Sequence, residues 1–177
     1  MKKIIILFSL VLIVFLVYKN SEVEAITIPD TAIRLRVIPS SNSAYDLEMK
    51  AKVKKYLEEN VYTLLSDSKS IEEAKYIINN NLDNINSDIE LIFKENNYDK
   101  SFKISFGLNY FPNKIYKSVI YPEGNYDSLV VYIGDAQGDN WWCVLFPPLC
   151  LLEADDAEEA QDVEYTFLVK ELLDKIF

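Results

Sequence analysis

The residues with most chemical potential lie in one string, Asn140 to Cys150 (NWWCVLFPPLC), which packs two adjacent tryptophans, two prolines and both cysteines of the chain into 11 residues. Cys143 and Cys150 stand seven apart, which excludes a CxxC redox site. Three readings stay open for them: a disulfide, two buried free thiols, or half of a zinc site. A zinc site would need two further ligands, and with no histidine in the chain only carboxylates could supply them. The missing histidine also removes Ser-His and Cys-His triads and imidazole general bases. Catalysis would fall to carboxylates, as in glycosidases, which need only a pair. No pair is singled out among so many acids. Asp135, Gln137 and Asp139 alternate along a Gly-bearing loop, but the bidentate Glu that closes an EF-hand loop is absent. Nothing matches a phosphate loop, a nucleophile elbow or a dinucleotide turn. No cofactor is called for.

The compartment bears on the cysteines. Met1-Lys2-Lys3 is a basic start, and Ile4 to Val17 is apolar but for one serine. As a helix those 14 residues reach roughly 21 Å, short of the ~30 Å hydrocarbon core. A polar region follows, and Val23-Glu24-Ala25 suits a cleavage site after Ala25. Residues 1–25 are therefore expected to be a signal peptide or an N-terminal anchor, and residues 26–177 a single exported domain. Disulfides persist in such a compartment, and an even cysteine count favours pairing. The closed loop is small, so the bond would contribute roughly 2.5 kcal/mol. It would serve shape more than stability, presenting a rigid apolar loop at the surface.

Charge narrows the partners. The chain carries a formal −10, and residues 26–177 hold 15 basic and 26 acidic residues, net −11. Nucleic-acid binding runs on basic patches, so none is expected. Anionic lipid would repel the domain, so no direct lipid contact is expected beyond the N-terminal segment.

The elements that must position the string read as follows. Residues 26–32 look like an exposed lead-in. Ile33 to Ile38 alternates apolar residues with Arg34 and Arg36, which predicts a strand. A Ser/Asn turn cluster precedes a first helix over about 44–65. Ser70 and Glu73 have capping-box spacing before a second helix that ends near Asn96. Its stripe of Ile71, Ala74, Ile78, Leu82, Ile85, Ile89 and Ile92 predicts a core-facing surface, with Asn79-Asn80-Asn81 as a candidate kink. Phe102, Ile104, Phe106, Leu108 and Tyr110 alternate with polar residues, which predicts a half-buried strand. Strands are also expected over Ile115–Tyr121, Leu129–Ile133 (the apolar, central one) and Trp141–Phe146. Residues 153–164 hold seven acids and read as a mobile run. The end of the chain fits a strand or a helix, with a strand first favoured. The order β-α-α-β-β-β-β implies an α+β fold, two helices on one face of a mostly antiparallel sheet. Neighbours on a strand point to opposite faces, so one of Trp141 and Trp142 is expected in the core. The other would be exposed or covered by the C-terminal segment. An exposed tryptophan beside proline reads equally as a binding hot spot and as packing.

The string and several other segments carry a resemblance. They are IRLRVI at Ile33–Ile38 before a Lys-rich helix; Tyr110-Phe111-Pro112 with Tyr116; Tyr121-Pro122-Glu123-Gly124-Asn125-Tyr126 with Leu129; Gly134 and Gly138; and Trp-Trp-Cys through Pro-Pro-Leu-Cys. In these the chain resembles the stage II sporulation protein R family of endospore-forming bacteria. It departs at Arg36, where the family usually has histidine, at Pro39-Ser40-Ser41-Asn42, where Ala-Asn-Ser-Asp is usual, and at Glu123 and Asn125, where Ala and Glu are usual. The resemblance implies a signalling protein rather than an enzyme. Such proteins are exported from the forespore into the space between forespore and mother cell. There they trigger a membrane-embedded aspartic protease that processes pro-sigma-E. On this reading the contact residues are Trp141, Trp142, Phe146, Pro147 and Pro148, with the neighbouring turn of Tyr121, Gly124 and Tyr126. The rival expectations are an exported module that binds cell wall or matrix, and a carboxylate-only hydrolase.

Overall fold

The structure, a computed structural model, describes residues 26–116, 119–149 and 162–176. Residues 1–25, expected to be a signal peptide or anchor, Cys150 and residues 153–161 of the acidic run lie outside the described residues. Among those described, no helix is long and apolar enough to cross a membrane.

The centre is a four-stranded sheet in the order β3 (Phe102–Phe111), β6 (Gly124–Ile133), β2 (Ile33–Ile38), β7 (Trp141–Phe146). β2 runs parallel to β6, while β3 pairs with β6 and β7 with β2 antiparallel. β6 lies inside the sheet, as its apolar run predicts. Leu35 and Val37 of β2, Leu129 and Val131 of β6, and Phe106 of β3 point to one face, where the helices pack.

Helix α1 (Ala44–Tyr56) starts at Ser43, whose side chain accepts from the Asp46 amide. It continues through a π-helical turn (Leu57–Val61) into a last α-turn (Tyr62–Leu65). The cause is legible in the stripe Met49, Val53, Leu57, Val61, Leu65, all buried. Steps of four drift by about 40° each on an α-helix. The wider π turn takes back part of that drift and keeps the later residues on the core.

Helix α2 (Ile71–Glu95) starts at Ser70, whose side chain accepts from the Glu73 amide, while Glu73 accepts from Lys69 N–H. It runs unbroken through the three asparagines. Asn79 and Asn81 turn their amides back onto the carbonyls of Lys75 and Ile77, so they do not interrupt the ladder.

The other face of the sheet is covered as well, which two helices on one side do not imply. A three-stranded sheet in the order β1 (Ile26–Thr27), β5 (Val119–Tyr121), β4 (Lys114–Tyr116) lies there, with helix α3 (Asp162–Ile176). Ile28, Ala32, Val119, Tyr121, Val144, Leu149 and Val169 form its core. The lead-in at 26–32 is therefore a strand with buried Ile28 and Ala32, not an exposed arm. The strand expected over 115–121 is two short ones paired as a hairpin. The C-terminal segment is helix from Asp162, so the strand favoured there is corrected. So is the mobile run at its last three residues, which begin α3.

One turn locks the ends of β2 and β6 together. Ser40 Oγ accepts from Asp135 N–H, Ser40 O from Gln137 N–H, and Pro39 O from Gly138 N–H. Gly134 has φ +52°, and a Cβ there would meet Ser40 Oγ at 2.5 Å; one on Gly138 would meet Ser41 O at 2.6 Å. The loop with alternating Asp135 and Asp139 is thus a structural clasp. Below it Asp46 is fully buried and accepts from the Ser41 and Tyr98 hydroxyls and from Lys100 Nζ at 2.7 Å. Burial alone would raise the pKa of Asp46. The bonds from Lys100, Ser41 and Tyr98 outweigh it and hold the carboxyl well below the usual carboxylate range.

A depressed native pKa contributes stability that is complete above the unfolded value of about 3.9 and is lost as the pH falls through it toward the native one. Asp46→Asn should therefore cost about 3 kcal/mol at neutral pH by denaturant melts. The gap to the parent should narrow steadily in melts below about pH 4.

Candidate functional site

The face of β2 away from α1 and α2 carries Arg34 and Arg36, in a sheet layer where apolar residues would be expected. Arg34 is only 4% exposed. Its guanidinium carbon stands 3.8 Å from the centre of the Tyr126 ring, with Phe111 at 5.4 Å and Tyr121 at 5.7 Å. It donates to Pro122 O at 3.3 Å, a carbonyl that also accepts from the Tyr126 hydroxyl at 3.0 Å. Arg36 lies 4.4 Å from the Phe111 ring and 4.3 Å from Trp142, and donates to Tyr110 O. Phe111 and Trp142 meet edge to face at 5.1 Å. Two cations and four rings thus interleave across β2, β3, β5, β6 and β7. The flat guanidinium suits such stacking because it is weakly hydrated and attracted to ring faces. Burial lowers the pKa of both arginines, and at Arg34 the nearby Tyr126 opposes the shift.

The two tryptophans straddle the edge strand. Trp141 packs toward α1, with Lys54 Nζ 5.0 Å from its ring, and Trp142 packs on the arginine face. Both remain partly exposed, so each wets one side of β7. Around this edge opens a groove of about 430 Å³ whose lining includes Arg34, Phe111, Tyr121, Lys114, Trp141 and Trp142, Lys114 and Tyr121 being cross-strand neighbours on β4 and β5.

Of the residues expected to make contacts, the groove takes Tyr121, Trp141 and Trp142. Tyr126 is buried beneath Arg34 inside β6, not on a turn. Gly124 is the first residue of that strand, and a Cβ there would stand 3.3 Å from the Tyr126 ring. The apolar loop is corrected most. Phe146 is 1% exposed, Pro147 and Leu149 are buried, and only Pro148 is partly open. Phe146 packs into the core on the helix side, while Leu149 joins the core of the small sheet and α3. The Leu149 amide donates to Val144 O and Pro147 O, closing the turn on itself. Cys143 is buried and is not a free thiol.

Arg34 and Arg36 are absent from the expected site because their alternation with Ile33, Leu35 and Val37 reads as a solvated strand face. The available signal was the number of tyrosines and phenylalanines, 12 and 9, beyond what the two helices could cover. Among the described residues no group of three Cys, Asp or Glu is placed to hold a metal.

A domain of this kind, with an aromatic and cationic groove beside an edge strand, has the features of a binding module. The comparisons with known proteins give its family. The family model described as Stage II sporulation protein R matches residues 29–156. The chain is 33% identical over 158 residues to the stage II sporulation protein R of Bacillus subtilis (strain 168), covering 89% of this chain and 70% of that one. The chain belongs to the stage II sporulation protein R family. No solved structure matches it.

Phe111 joins both arginines to Trp142. Phe111→Ala should cost about 3–5 kcal/mol in denaturant melts. In the folded variant, acrylamide quenching of tryptophan fluorescence should rise as Trp142 loses its neighbour.

Proposed function

We propose that the chain is an exported sporulation signal. It passes from the forespore into the space between forespore and mother cell and triggers the membrane-embedded aspartic protease that processes pro-sigma-E. Family membership supports the sporulation role, and the groove is the observation that carries the binding role. Trp141 and Trp142 of β7 meet Tyr121 of β5 there, and the tryptophans keep accessible surface. Large rings held at the edge of a rigid sheet are the usual anchors of a protein interface. Binding would favour the active arrangement of the protease through higher affinity for that state. Among the described residues the groove lining includes no carboxylate, which speaks against the hydrolase reading.

The signal acts without catalysis on this reading. Cys143 pairs with Cys150 and fixes the end of β7 to the chain beyond Leu149. Residues 1–25 direct export, by cleavage or as an anchor. Arg36, stacked between Phe111 and Trp142, fills the place of the histidine usual in the family with a permanent cation, so no imidazole is required.

Complementation of a deletion strain with this chain should restore sigma-E processing. Trp142→Ala should abolish processing while the domain is still secreted and folded, and normal processing in that variant would sink the contact role of the groove. Binding of the domain to purified peptidoglycan in a pull-down would favour a cell-wall module instead. Replacing both cysteines by serine should leave secretion intact but shorten the lifetime of the domain under protease challenge.

A further inference from the structure

The groove is cationic in a strongly acidic protein. Among the described residues its lining includes Arg34, Lys54 and Lys114 and no aspartate or glutamate, although the chain carries ten more acids than bases. Arg34 is more than nine-tenths buried, forms no ion pair among the described residues, and leaves its Nε without a partner. Among the described residues a buried cation in that position is compensated by ring faces, the Tyr126 side chain and one carbonyl, and by no carboxylate. The Lys114 side chain is exposed and has no partner among the described residues. Lys54 reaches Glu58 only at 3.4 Å and otherwise lies over Trp141. These charges frame apolar walls, and Ile115 at the mouth is 69% exposed.

We infer that the groove takes an acidic peptide segment of a protein partner, its carboxylates on Lys114, Lys54 and the Arg34 side and its apolar side chains against Trp141, Trp142 and Ile115. A peptide fits better than an anionic lipid surface, because the domain's net −11 opposes approach to such a surface while a single segment meets only the local field. The volume accommodates a few side chains, the size of an ordinary ligand site. The inference rests on the groove being the contact face and adds the chemistry of what it contacts.

The test uses the full chain in mild detergent at about 0.15 M salt, and reads the fluorescence of its two tryptophans, both at the groove. The probe is the capped peptide Asp-Leu-Glu-Leu-Asp, with Asn-Leu-Gln-Leu-Asn as the neutral control. The acidic peptide should bind about tenfold or more tightly than the control. Lys114→Ala should weaken it and Lys114→Glu should weaken it further, with unchanged thermal melts. Equal binding of the two peptides, no binding, or no dependence on the charge at 114 overturns the inference. So does preferential binding to phosphatidylglycerol vesicles over the peptide. If the acidic peptide fails while Trp142→Ala still abolishes processing, the acidic chemistry falls and the contact face stands. If Trp142→Ala also leaves processing normal, both fall.

Discussion

A single buried carboxylate organises the part of the molecule on which the groove depends. Asp46 sits in the first turn of α1 with no access to water, a placement that costs several kcal/mol unless the charge is matched. Lys100, Tyr98 and Ser41 match it, and they come from two other stretches of chain. Lys100 and Tyr98 belong to the connection from α2 into β3, and Ser41 to the turn after β2. The helix, the turn and the strand entry are thus held at one point. From there the turn grips the loop after β6 through Ser40, Pro39 and Asn42, whose Oδ1 accepts from Asp139 N–H at 2.7 Å. That loop leads directly into Trp141. The groove edge is therefore positioned by a chain of hydrogen bonds that begins at a buried charge some hundred residues earlier in sequence.

The sheet has two unlike faces, and the proposed contact lies on the less ordinary one. The helix side is an aliphatic core from β2, β6, α1 and α2, of the kind any α+β domain builds. The other side sandwiches guanidinium groups between rings. Such a layer stays rigid because the arginine fork has fixed geometry and the rings have few rotamers. It also leaves positive charge that no described carboxylate neutralises. An acidic protein that keeps such a layer has separated its local potential from its net charge. Across more than a Debye length of about 8 Å the two act on different partners.

Family membership and geometry contribute different things. The match over residues 29–156 carries the sporulation context, and much of it is scaffold: the clasp glycines, the packed Phe146–Pro147 turn and buried Tyr126. An 11-residue string rich in Trp, Pro and Cys looks like a binding loop when read linearly. In three dimensions it splits. Its first four residues line the groove, and beyond them Leu145 and Phe146 join the helix-side core while Val144 and Leu149 join the core of the small sheet.

The local elements were legible in the sequence because local patterns dictate them. The seven-position stripe set α2, Ser43 and Ser70 stand at the helix starts, and period-two alternation marked β2 and β3. The apolar run at Leu129–Ile133 predicted a central strand, and the helices cover one face as expected. What the sequence left undetermined was the fate of the second face. Residues 26–32, 115–121 and 162–176 are short or ambiguous alone, and each becomes ordered by packing on the others. Only that packing decides that Val144 and Leu149 are core, that Arg34 is buried rather than solvated, and that Tyr121, Lys114 and Trp142 share one groove. Periodicity reports which side of a strand a residue occupies. It carries no information about what lies across from that side, because the covering elements come from sequence positions far away whose own preferences are weak.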